Sequence, residues 1–73
     1  METYEKLIGI IENYVEVDEI KAEDNFKFDL GMSSFDVVCM TEDIKSTFGI
    51  VLNATDFIKF KTVGLMAEHI DNA

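Results

Sequence analysis

The sequence predicts an all-α protein, a small four-helix bundle with three main helices, one short helix and a long first loop. Apolar residues recur at helical spacing in three stretches of the 73-residue chain. Residue types that favour helix caps stand at the expected boundaries of these stretches. A chain of this length allows one hydrophobic core, so we expect a single domain over residues 1–73.

The first helix is predicted to start near Tyr4. Its apolar positions follow helical spacing: Leu7, Ile8, Ile11, Tyr14 and Val15. The polar stretch VDEIKAEDNFKFDLGM follows and forms the long loop. Because a long structureless loop is uncommon in so small a domain, we expect apolar residues to hold it against the core. These residues are Ile20, Phe26, Phe28 and Leu30.

The second helix is predicted to begin near Ser33 and to end before Gly49, which supplies a left-handed C-cap. Its inward face has spacings of three, four and four: Val37, Met40, Ile44 and Phe48. The segment IVLNATDFIKF is compatible with a short strand or a short helix. We favour a helix over residues 54–59 that is capped by Asn53.

The last helix is predicted to start after Thr62, whose hydroxyl can cap it. Its inward residues are Val63, Met66, Ala67 and Ile70. Helices with single apolar faces of this kind pack into a small bundle.

Charge and composition restrict the classes of function. The chain has fifteen acidic residues and six lysines, and its net charge is -9. This charge disfavours binding to nucleic acid and anionic membranes but favours binding to proteins with basic patches. Cys39 is the only cysteine, which excludes an internal disulfide and suits a reducing compartment. The sequence has no bilayer-spanning apolar run and no basic signal region in METYEKLIGI. We expect a soluble, cytoplasmic protein that is monomeric by default.

Two adjacent serines precede the second helix in DLGMSSFD. Ser33 and Asp36 have the spacing of a capping box, whereas Ser34 falls at the first helical position and has no structural role. A first-turn hydroxyl is a favourable place for a phosphate, because unpaired N–H groups and the helix dipole favour negative charge there. Capping alone remains an alternative explanation of the serine pair.

Catalysis and specific metal binding are not predicted. A nucleophilic Ser34 would need an oriented base, and the single histidine, His69, lies far along the chain without a Gly-x-Ser-x-Gly elbow around the serine. The acidic segment DEIKAEDNFKFD lacks the alternating ligands, glycine and final glutamate of an EF-hand. Weak, nonspecific divalent binding is the only metal interaction that we expect.

The segment DLGMSSFDVV resembles the acyl carrier protein motif D-L-G-x-D-S-L-D-x-V. The order of the other segments is also similar to that family: an amphipathic first helix, a long loop ending in DLG, a helix ending in FGI, and KTVG at the last helix. The resemblance extends over nearly the whole chain. It implies an acyl-carrier-like four-helix bundle with one short helix.

The resemblance also implies a function. The motif serine, here Ser34, receives 4′-phosphopantetheine from coenzyme A through a separate phosphopantetheinyl transferase that uses Mg²⁺. The terminal thiol of the arm then carries acyl groups as thioesters in fatty-acid, polyketide or related biosynthesis. The chain would thus be a substrate and partner of enzymes with basic docking surfaces. We expect the partner-binding residues to be Asp29, Phe35, Asp36, Val38, Glu42 and Asp43.

The sequence departs from the family motif at several positions. Ser33 stands where the family has Asp, and Phe35 stands where it has Leu. Cys39, Lys45 and Ser46 occupy positions where acids are common, so the partners can differ from those of a fatty-acid carrier. Two alternatives therefore stay open: an aminoacyl or peptidyl carrier of a secondary-metabolite pathway, and an unmodified, carrier-like acidic interaction protein.

Overall fold

The computed structural model describes residues 2–73, which form four helices and no strand. The helices are α1 (Glu2–Ile11), α2 (Ser34–Phe48), α3 (Ala54–Lys59) and α4 (Val63–Asp71). Helix α1 packs against α4 and α2, and α2 also packs against α3. The predicted four-helix bundle, with its short third helix and long first loop, is confirmed.

One cluster of apolar side chains forms the core and draws on all four helices and on the loops between them. The predicted inward residues of α2 and α4 are buried, except that Phe48 is partly exposed at the edge of the cluster. Met32 and Leu52, in the loops before α2 and α3, are also buried. The buried residues are Leu7, Ile10, Ile11, Phe26, Leu30, Met32, Val37, Met40, Ile44, Leu52, Phe57, Val63, Met66, Ala67 and Ile70.

Helix α1 is shorter than the apolar pattern predicts. It ends at Ile11, where the chain tightens into a turn in which the N–H of Tyr14 donates to the carbonyl of Ile11 at 2.9 Å. Tyr14 and Val15 therefore lie beyond the helix, although both still pack against the core. Their helical spacing reflects contact with the core and not continuation of α1.

The first loop is held to the core largely as predicted, with one error. Phe26 and Leu30 are buried and Ile20 is partly buried, but Phe28 is 89% exposed. The N–H groups of Asp29 and Leu30 both donate to the carbonyl of Asn25, and this turn leaves Phe28 at its tip. The turn geometry therefore directs Phe28 away from the core.

The loop is also tied to the start of α4 by backbone hydrogen bonds. The N–H of Val63 donates to the carbonyl of Asp24 at 3.0 Å, and the N–H of Gly64 donates to that of Ala22 at 2.8 Å. A Cβ at position 64 would lie 3.1 Å from the Ala22 oxygen, so glycine permits this close approach. These contacts fix the loop that leads to the start of α2.

Candidate functional site

The chain reverses direction immediately before α2. Gly31 has a φ of 71°, a left-handed conformation that glycine adopts without steric cost. Met32 follows with a buried side chain, and its N–H donates to the carbonyl of Phe26 at 2.9 Å. The turn and the Met32 anchor together place the two serines at the surface.

Ser33 caps α2 in the predicted way. Its Oγ accepts a hydrogen bond from the N–H of Asp36 at 3.1 Å, and its own N–H donates to Oδ2 of Asp36 at 3.0 Å. Both bonds of the capping box are present, which confirms this prediction. At the other end, Gly49 is the left-handed C-cap of α2, also as predicted.

Ser34 is the first residue of α2, and its side chain is exposed. Among the interactions of residues 2–73, none is a hydrogen bond made by its hydroxyl. The hydroxyl is therefore neither buried nor engaged with the main chain. It is open to an enzyme that modifies it.

An open cavity of about 100 Å³ lies beside Ser34. Lys27 of the first loop forms part of its wall, and the other lining residues are Val37, Val38, Ala54, Phe57 and Ile58. Phe57 packs edge-to-face on Phe26, with ring centroids 5.3 Å apart. The cavity thus lies between α2, α3 and the first loop, on a firmly packed base.

Exposed apolar side chains surround the site. Phe35 and Val38 project from the first turns of α2, and Val38 is 55% exposed although it also lines the cavity. Ile58 of α3 is 69% exposed and lies on the opposite wall. Sequence reasoning missed Ile58 and Lys27, because only the packing of α3 and the loop brings them to Ser34.

The acidic residues that are predicted to bind partners differ in whether their carboxylates accept hydrogen bonds within the protein. Asp29 Oδ2 accepts a hydrogen bond from the N–H of Asn25 at 2.6 Å, and Asp36 completes the capping box. Asp43 Oδ2 accepts a hydrogen bond from the hydroxyl of Tyr14. Glu42 is exposed and makes no side-chain hydrogen bond within the described part of the chain.

The Tyr14–Asp43 hydrogen bond changes the acidity of the phenol. It raises the pKa of Tyr14 to about 12, with further contributions from burial and from the charge of Asp43. Deprotonation would remove the donor and place two negative charges together. The pair joins the turn after α1 to the second half of α2, away from the first turn that holds Ser34.

Other reactive side chains are not assembled into a catalytic group. Cys39 is partly buried, and His69 stacks on Phe60 with ring centroids 4.0 Å apart. No group of three or more His, Cys, Asp or Glu side chains within residues 2–73 could hold a metal ion. The site therefore offers an acceptor hydroxyl, a cation and an apolar cavity.

The exposed hydroxyl beside an open cavity makes this surface a candidate site, and sequence comparisons identify the class of protein. The sequence pattern of the family described as "Phosphopantetheine attachment site" matches residues 5–70. The chain therefore belongs to the phosphopantetheine-binding family of carrier proteins.

Curated relatives define the family more closely. The chain is 39% identical over 56 residues to an acyl carrier protein of Exiguobacterium sp., over 77% of this chain and 71% of that protein. It is 33% identical over 72 residues to an acyl carrier protein of Thermotoga maritima, over 96% of this chain and 89% of that protein. These similarities place it among the acyl carrier proteins.

Membership confirms several sequence predictions. The protein is a carrier and not a catalyst, and its prosthetic group is 4′-phosphopantetheine. Proteins of this kind work with a phosphopantetheinyl transferase and with biosynthetic enzymes. Across residues 2–73, every helix is too short or too polar to cross a bilayer.

Proposed function

We propose that Ser34 is the attachment residue and that the loaded protein carries acyl groups as thioesters between enzymes of fatty-acid biosynthesis. The observation that carries this proposal is the division between the two serines. Ser33 caps the helix, while the Ser34 hydroxyl is exposed and without a hydrogen-bond partner. The residues present fit the prosthetic group, since an open cavity lies beside this hydroxyl.

In the loading reaction, Ser34 Oγ forms a bond to the phosphorus that bears the pantetheine. The pyrophosphate bond of coenzyme A breaks, adenosine 3′,5′-bisphosphate leaves, and the serine proton passes to a base of the transferase. Once attached, the arm supplies a thiol on which acyl groups are held.

The carrier's own contribution is delivery and orientation. Tethering makes a bimolecular encounter local and so raises the effective concentration of the cargo. Asp29, Asp36, Glu42 and Asp43 give the approach surface a negative potential even where their oxygens accept hydrogen bonds. This potential would steer the carrier to a basic rim, and the exposed Phe35 and Val38 would supply short-range apolar contacts.

The names of the relatives support an acyl cargo over an aminoacyl one, because the two curated relatives described above are named acyl carrier proteins. The exposed Lys45 and Ser46 stand where acids are common in the family, and they favour a partner set different from that of a general fatty-acid carrier. We further propose that residues 1–73 act as one carrier domain, monomeric and cytoplasmic. The mass of the thioester cargo on protein isolated from its native cells would discriminate a fatty acyl from an aminoacyl load.

Attachment is tested by incubating the protein with coenzyme A, Mg²⁺ and a promiscuous phosphopantetheinyl transferase. Mass spectrometry should show one added phosphopantetheine on a peptide containing Ser34. Ser34→Ala should abolish the gain, whereas Ser33→Ala should keep it. If a control carrier is loaded but this protein gains no mass, the result favours an unmodified interaction protein. If only Ser33→Ala loses the added mass, the attachment residue is Ser33 and not Ser34.

A further inference from the structure

The cavity beside Ser34 has one charged residue in its wall, and the proposed function does not use it. Lys27 and Ser34 line the same cavity, and the remaining lining residues are apolar. We propose that the ammonium of Lys27 binds the phosphodiester attached to Ser34 and positions the first segment of the arm at the cavity. This inference rests on the proposed function, since it requires the arm on Ser34.

The backbone of Lys27 is fixed on both sides. Its N–H donates to Oδ1 of Asn25 at 2.9 Å, and its carbonyl accepts from the N–H of Gly31 at 3.1 Å. The preceding residue, Phe26, is 1% exposed and anchors the turn in the core. Binding a phosphate would therefore order only the lysine side chain and not the loop, which limits the entropy cost.

The ammonium of Lys27 is also uncommitted. Among residues 2–73, the one pair of lysine nitrogen and carboxylate oxygen within 4.0 Å joins Lys6 and Glu2, at 3.2 Å. The neighbouring acids, Asp29 and Asp36, direct oxygens to backbone N–H groups of their own turns. Lys27 is thus an exposed lysine without an ion-pair partner within residues 2–73, and it lines the same cavity as Ser34.

Charge complementarity strengthens the assignment. A phosphodiester brings one negative charge to a chain whose net charge is already -9, next to Asp29 and Asp36. Each of these carboxylates opposes the added charge, and Lys27 is the cation in the cavity wall that offsets them.

The size of the cavity suits the part of the arm nearest to the phosphate. An engineered protein cavity of about 150 Å³ takes up benzene, so a cavity of about 100 Å³ takes a smaller group. In 4′-phosphopantetheine, the phosphate is followed within two carbons by a carbon that bears two methyl groups. With the phosphate at Lys27, this branched apolar segment can contact Val38 and Ile58.

The test compares unfolding of the unmodified and loaded forms of four proteins: the parent, Lys27→Gln, Lys27→Arg and Lys21→Gln. Lys21 is an exposed lysine in the same loop that does not line the cavity, so its variant has the same change in net charge. Loading is first verified by mass, and unfolding equilibrium constants are then measured in urea. The ³¹P NMR shift of the phosphodiester provides a second measurement on the same samples.

We expect loading to raise the unfolding constant by about two- to fivefold more in Lys27→Gln than in the parent, as is typical of a single exposed ion pair. Loading should change the unfolding constants of Lys21→Gln and Lys27→Arg by the same factor as that of the parent. In 1 M salt, the larger effect of loading on Lys27→Gln should disappear. The ³¹P shift should change only in Lys27→Gln. Equal effects of the Lys27 and Lys21 variants on loaded protein would overturn the Lys27 assignment alone, whereas failure of the parent to load would overturn the proposed function together with it.

Discussion

The region where α1 meets α4 and the region around the start of α2 have contrasting construction. In the first, Leu7, Ile11, Met66 and Ala67 are each 0% exposed. In the second, the apolar residues Phe35, Val38 and Ile58 are exposed around an open cavity. Apolar burial in the first region stabilises the fold, while the second leaves apolar surface and a free hydroxyl for partners. Stability and the proposed function are thus assigned to different regions of the molecule.

The largest expected effect on stability comes from replacing one isoleucine by alanine in each of the two regions. Ile11→Ala should lower the free energy of unfolding by about 2–5 kcal/mol, because it leaves a cavity in the core. Ile58→Ala, at a side chain 69% exposed, should change it by less than about 0.5 kcal/mol. Urea unfolding measures both free energies. Similar losses of stability in the two variants would contradict the contrast between the two regions.

The two serines give the next largest effect. Ser33→Ala removes the cap and should cost about 1 kcal/mol of stability. Ser34→Ala removes no hydrogen bond, so its free energy of unfolding should stay within about 0.5 kcal/mol of that of the parent. The same variant should abolish loading. Circular dichroism during urea unfolding gives the first quantity and mass spectrometry the second. A larger destabilisation by Ser34→Ala would show that the hydroxyl has a structural role.

Tyr14→Phe tests the hydrogen bond that joins the turn after α1 to α2. At neutral pH we expect a loss of about 1 kcal/mol, the typical net contribution of a protein hydrogen bond. Because folding raises the pKa of Tyr14 from 10.0 to about 12, this stabilisation is complete below pH 10 and is lost as pH rises through 12. Unfolding measured from pH 8 to pH 12 should show this decline in the parent. A similar decline in Tyr14→Phe would contradict the assignment to Tyr14.

The smallest expected change in stability comes from Glu42→Gln, which alters an exposed side chain without an internal partner. Stability should stay within about 0.5 kcal/mol of the parent. The association rate with a phosphopantetheinyl transferase should fall, and its dependence on salt should weaken, because one steering charge is lost. Stopped-flow association at two salt concentrations measures this. An unchanged rate would remove Glu42 from the proposed docking surface.

The helix boundaries show how far local chemistry reaches. The caps at Ser33, Asn53 and Thr62 were predictable, because each depends on a side chain and a backbone N–H within three positions. The end of α1 was not predictable from the sequence, because Tyr14 and Val15 continue the apolar spacing although the chain has already turned. Apolar periodicity reports contact with the core and does not by itself mark where a helix stops.

The sequence by itself determined the four helices, the caps, most of the core, and Ser34 as the hydroxyl left without a structural role. Only the tertiary structure decided that Phe28 is exposed, that Lys27 and Ile58 reach the cavity beside Ser34, and that Tyr14 bonds to Asp43. The physical reason is the range of the interactions. Caps and helical faces arise between residues three or four apart, whereas cavity walls and the Tyr14–Asp43 bond join segments that meet only after the helices have packed.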